Sequence, residues 1–288
     1  AKRITAYLNL LHQLVTRQIE ALKEQDFEAG TELSRYFELL PAHADLKKKY
    51  QQILLMDEEQ RGLQLQALKS EIVAGSIDVN IMSKVDKANF SKDELYLGDD
   101  YTDALAAMRG FTQSNLDASI IISAGLNPRL FAYMERCEAF YPIASEPKKR
   151  IILKVSDYRS AYIQAKMLAK RGLWISEFRV ESGLNCGGHA FATEGFLMGP
   201  ILEEFKQKRT ELTAELWAIY NAALQSKGIQ TAMIPQQKIT VQGGIGTAEE
   251  HEFLLNYYQL DAAGWGSPFL LVPEATNVDD DTLAALIS

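Results

Sequence analysis

The chain has 288 residues, 47% of them hydrophobic and 24% charged, with a formal net charge of −8. This is ordinary globular composition with enough chain for a large core, as one large domain or two smaller ones. The acidic balance argues against sequence-independent nucleic-acid binding, which needs basic surface to replace phosphate counterions. There is no run of 18 apolar residues, so no membrane span is expected.

The first stretch, from Ala1 to Val15, carries two basic residues and then apolar positions interrupted by polar ones. That periodicity reads as a helix rather than a signal peptide. The two cysteines, Cys137 and Cys186, could form one bridge at most. Without an export signal, both are expected reduced, in the cytoplasm.

Leu8, Leu11, Val15, Ile19 and Leu22 recur at three- and four-residue steps and form one apolar stripe. A second helix is expected over 28–40, ending at Pro41, and a third over 42–55. A fourth starts near Asp57, a plausible N-cap, and runs to Gly75. Residues 1–75 therefore read as an all-helical subdomain of antiparallel hairpins, a packing or partner surface without chemistry of its own.

After Gly75 strands alternate with helices. Strands are expected at Ile77–Met82, Ala118–Gly125, Arg150–Val155, Leu173–Val180, Lys238–Gln242 and Ala262–Trp265. Helices are expected at Thr102–Arg109, Pro128–Cys137, Arg159–Arg171 and about 197–228, with another after Gly246. This alternation implies βα units and a parallel sheet, with the ligand site outside the carboxyl ends of the strands. The fold class is α/β, of (β/α)8 TIM-barrel type. Six strands are recognisable where eight are needed, so the barrel over 76–288 is expected to be incomplete.

Val241-Gln-Gly243-Gly244-Ile-Gly246 ends one strand in paired glycines, and Gly264-Trp-Gly266-Ser267 ends the next. Glycine permits close backbone approach and positive φ, and amides beside a helix N-terminus form an anion site. Two such turns in succession read as the phosphate corner of a barrel. The loop Glu181–His189 follows a strand and holds Gly183, Gly187 and Gly188. His189 is either a general base or a loop residue capping a carbonyl. Cys186 is either a nucleophile or a small buried residue. Lys154, inside an apolar strand, either meets an anion or reduced cofactor or reaches solvent at the strand's mouth. Asn80 is a comparable amide within an apolar strand; Ser123 and Gln242 are weaker cases. Glu249, Glu250 and His251 read as helix-start residues that favour the helix dipole.

These segments resemble the nitronate monooxygenase group of flavin barrels, formerly called 2-nitropropane dioxygenases. That family's loop typically reads Gln-Gly-x-Glu-Ala-Gly-Gly-His. Here Ser182 to His189 keeps Gly183, Gly187, Gly188 and His189 and replaces Glu-Ala by Asn185-Cys186. The Gly-Gly-Ile turn at Gly243 and the Gly264–Phe269 turn are similar to the family's phosphate turns, and Val79-Asn80 to its Val-Asn strand. The resemblance spans about 76–275. It implies FMN, with its phosphate on Gly243, Gly244, Gly266 and Ser267. It also implies His189 as the base that deprotonates a small carbon-acid substrate, and a flavin that accepts the electrons.

The family's first two strands, one carrying a Pro-Met element, have no counterpart here. The chain is expected to be a piece of a longer protein, or one in which helices replace those strands. It is expected either to self-associate or to dock to another domain of the parent chain. The alternatives are a flavin-independent barrel enzyme on a phosphorylated metabolite, with Lys154 as a Schiff-base amine, and a non-catalytic interaction domain with a vestigial flavin site.

Overall fold

The structure, a computed structural model, describes residues 1–42, 44–81, 86–122, 127–142, 146–181, 198–231, 233–265 and 279–287. The chain divides into two compact units, one of Lys2–Ile77 with Ser114–Leu116, the other holding nearly all of the remainder.

The first unit contains α1 (Lys2–Glu24), α2 (Glu32–Leu39), α3 (Asp45–Leu54) and α4 (Glu58–Ser70). Side-chain caps set two of the starts. Thr31 Oγ1 accepts from the Ser34 amide at 3.2 Å, and Asp57 Oδ1 from the Gln60 amide at 3.0 Å. Lys47 Nζ donates to the carbonyls of Phe37 and Glu38, quenching the negative end of α2. The core gathers Leu33, Phe37, Tyr50, Ile53, Leu68 and Ile72, with Phe37 stacked on Tyr50 at 4.8 Å. The fourth helix stops at Ser70, not at Gly75 as expected. Ile72, four residues after Leu68 and so in line with its helix face, is buried in the same core just beyond the helix end.

The second unit is built on one parallel sheet. Its strands are β1 (Val79–Ile81), β2 (Ala118–Ile122), β3 (Lys149–Val155), β4 (Ile175–Glu181), β5 (Lys238–Gln242) and β6 (Ala262–Gly264). They lie side by side in sequence order, the six strands expected. The intervening helices are α5 (Asp103–Thr112), α6 (Pro128–Glu135), α7 (Tyr158–Ala169), α8 (Met198–Ser226) and α9 (Ala248–Tyr258), and α10 (Asp280–Ile287) follows. The architecture is α/β, and among the described strands the winding does not reverse, so they form no switch-point crevice of the doubly wound kind. No described helix is long and apolar enough to cross a membrane.

One face of the sheet packs on the helices. Phe178 of β4 meets Phe205 of α8 at 5.8 Å, and Tyr158 of α7 meets the same ring at 5.2 Å. Strand alternation then directs Glu177, Arg179 and Glu181 to the opposite face. A β-bulge fixes that parity. Ile151 pairs with Ile175 but Ile152 pairs with Glu177, leaving Ser176 as the extra residue. Its hydroxyl donates to the Ile151 carbonyl at 2.9 Å. Helices α7 and α8 are clasped by Glu215, which accepts from Tyr162 and Lys166 at 2.6 and 2.8 Å.

At the amino end of β4 the buried Trp174 and Tyr220 pack with the half-buried Trp217 as an aromatic cluster. The Tyr220 hydroxyl is fully buried with no hydrogen-bond partner among the described residues. A buried hydroxyl without a partner is a net cost. Tyr220→Phe is therefore expected to raise the urea-unfolding free energy by about 1 kcal/mol; a loss of stability would show that the hydroxyl has a partner.

Candidate functional site

The face of the sheet opposite Phe178 carries a charged layer. The residues Lys154, Arg179 and Thr240 share one register row, and Glu181, Gln242 and Gly264 share the next row toward the carboxyl ends. Lys154 Nζ lies 3.1 Å from Glu181 Oε1, with side chains 19% and 6% exposed. Arg179 donates to Glu177 at 2.8 Å and to Asp78 at 3.3 Å. Thr240 Oγ1 donates to Glu177 at 2.6 Å. Asp78 enters β1, and Arg179 belongs to β4, so this ion pair bridges about 14 Å of strand spacing.

The glycine turn stands at the carboxyl end of β5. Gly243 and Gly244 have φ of 86° and 71°, the left-handed region that side chains resist. The Gly243 amide donates to the Gly264 carbonyl at 3.2 Å, which joins the turn to β6. A Cβ on Gly264 would come within 3.1 Å of Gln242 Cβ, tighter than side chains ordinarily pack, so glycine eases the approach of the two strand ends. The amides of Gly244 and Ile245 have no partner among the described residues.

The next amides are occupied. Glu250 Oε2 accepts from Gly246 and Thr247 at 2.8 and 3.1 Å, while Thr247 Oγ1 accepts from the Glu250 amide at 3.2 Å. This is a capping box, so the start of α9 already holds a carboxylate of its own. On the same turn His251 Nδ1 accepts from the Trp265 indole at 2.8 Å.

Gln242, Gly243 and Gly244 lie at the carboxyl end of β5, and Lys154 lies on β3, two strands away, in the register row of Arg179 and Thr240. Asn80 is the exposed centre of β1 and shares a register row with Ile121, Ile152 and Glu177, which places it on the charged face. His189, Cys186, Gly183, Gly187, Gly188, Gly266, Ser267 and Ser123 lie outside the described residues. Cys137 is a half-buried free thiol, and burial pushes its pKa up, away from a reactive thiolate. Sequence reasoning missed Asp78, Glu177, Arg179, Glu181, Thr240 and the His251–Trp265 pair. A signal was present for three of them: Glu177, Arg179 and Glu181 alternate with Phe178 and Val180, the period of a strand with one polar face. No cluster of three or more His, Cys, Asp or Glu able to hold a metal occurs among the described residues.

Away from this edge, a cavity of about 340 Å3 is lined by Asp100, Tyr101, Arg109, Tyr133, Arg136 and Cys137. Its arginines are already engaged. Arg136 pairs with the Asp100 carboxylate at 2.7 Å, and Arg109 donates to the Asp100 carbonyl at 2.7 Å. No family model matches the chain, and no curated protein does.

Proposed function

We propose that this chain is part of an FMN-dependent oxidoreductase resembling the nitronate monooxygenases, acting on a small carbon acid. The observation that carries the reading is the β5 turn. Two consecutive glycines with positive φ leave the Gly244 and Ile245 amides without a partner among the described residues, at the carboxyl end of a parallel sheet. Such a turn suits a phosphate. The capping box directs that phosphate to the Gly243–Ile245 side, since the Gly246 and Thr247 amides serve Glu250.

Two further features support a barrel. The sheet winds in one direction only, and the Arg179–Asp78 pair spans three strand spacings, as side chains do across a face curled on itself. Lys154 fits as a donor toward a flavin ring, with Glu181 holding its charge and direction. FMN, when bound, supplies the acceptor for the substrate's two electrons. In this reading His189 takes the proton from the carbon beside the activating group.

Purified protein supplied with FMN is expected to show a flavin absorbance band and quenched flavin fluorescence. His189→Ala is expected to abolish turnover and keep the flavin; unchanged turnover removes His189 from the mechanism.

A further inference from the structure

We propose that His251 is a positioning residue of the glycine-turn site, one that holds the carboxyl end of the edge strand β6 against the first turn of α9. The proposal rests on the reading of that turn as the ligand site. The Trp265 indole N–H donates to His251 Nδ1 at 2.8 Å, with the ring centroids 5.9 Å apart. A ring nitrogen that accepts carries no proton, so the bond fixes the imidazole as the tautomer with hydrogen on Nε2.

Strand β6 needs such a tie. It is three residues long, pairs with β5 alone among the described strands, and its Ala-Ala-Gly sequence buries little apolar surface. Its amino end is held by Asp261, which accepts from Arg209 and from the Ile239 amide, each at 2.7 Å. Its carboxyl end is held by the Gly243 amide on Gly264 and, one residue on, by His251 on Trp265. The helix that carries His251 has its start fixed by the capping box, so the imidazole is mounted on a rigid turn.

The test separates the acceptor from the ring. His251→Phe keeps an aromatic ring and removes the acceptor. His251→Asn returns an acceptor, Oδ1, near the position of Nδ1. The indole resonance of Trp265 is assigned among the three tryptophans with Trp265→Phe. In His251→Phe, hydrogen exchange of the Trp265 indole and of the Gly243 amide is expected to quicken about tenfold, the weight of one hydrogen bond. His251→Asn restores both rates. FMN affinity, read by fluorescence quenching, weakens about tenfold in His251→Phe and recovers in His251→Asn.

Unchanged exchange at Gly243 in His251→Phe overturns the proposal, as does equal FMN affinity in wild type and His251→Phe. If His251→Phe does not fold, Trp265→Phe removes the donor instead and must give the same Gly243 result. If no protein binds FMN while the exchange rates move as stated, the flavin reading fails and the positioning role stands.

Discussion

Lys149→Met is expected to abolish a rise in unfolding free energy that the wild type shows between about pH 8 and 10.5. Lys149 opens β3, only 1% exposed, with its ammonium 4.8 Å from the Phe111 ring. Burial, and then the neighbouring Lys148, push its pKa down to about 8. Its folded-state pKa is thus below the unfolded value of 10.5, and the unfolded chain binds more protons between the two. Stability therefore rises with pH across that window and is lowest below pH 8, by on the order of 3 kcal/mol. Methionine keeps the apolar stem and its packing and carries no titrating group. Above pH 10 the slope reverses. Burial pushes Tyr141 and Tyr220 up to about 12, so the unfolded chain loses phenol protons that the folded chain retains. Urea titrations from pH 7 to 10 on both proteins check this: wild type climbs and Lys149→Met stays level. A level wild-type profile would mean that the Lys149 ammonium is hydrated.

Arg179→Met is expected to cost about 3 kcal/mol, because it strands two carboxylates. Glu177 and Asp78 share this one guanidinium, and the three side chains are 13%, 26% and 19% exposed. Among the described residues, Glu177 would retain the Thr240 hydroxyl alone. The cost belongs to the uncompensated charge rather than to the lost attraction, so Glu177→Gln added to Arg179→Met should recover part of it. Additive losses in this double-mutant cycle would show that the pair is solvated and weak.

The strands were legible because Ile-rich runs such as Ala118–Ile122 and Arg150–Val155 are bounded by turn residues, and both are strands in the structure. Positive φ at Gly243 and Gly244 was legible in the same way, as the paired glycines that end a strand. The charged layer was not. Its pairings depend on the single-residue bulge at Ser176 and on a reach from β4 to β1, and neither leaves a local pattern. The Thr247-Ala-Glu-Glu250 run carries a capping-box signature, and its acids do start the helix. That Glu250 also occupies the Gly246 amide depends on loop geometry. The His251–Trp265 bond depends on how α9 is rotated about its axis, which sequence spacing does not specify.

The central claim is that the β5 turn binds the phosphate of FMN. It is tested most directly by thermal unfolding of wild type and Gly244→Val with FMN and with riboflavin, which lacks the phosphate. Valine cannot take up the φ of 71° without strain or without closing on the turn. FMN is expected to raise the wild-type Tm through ligand linkage, riboflavin to raise it far less, and Gly244→Val to respond to neither. Equal shifts with both flavins, or no shift with either, would contradict the phosphate site.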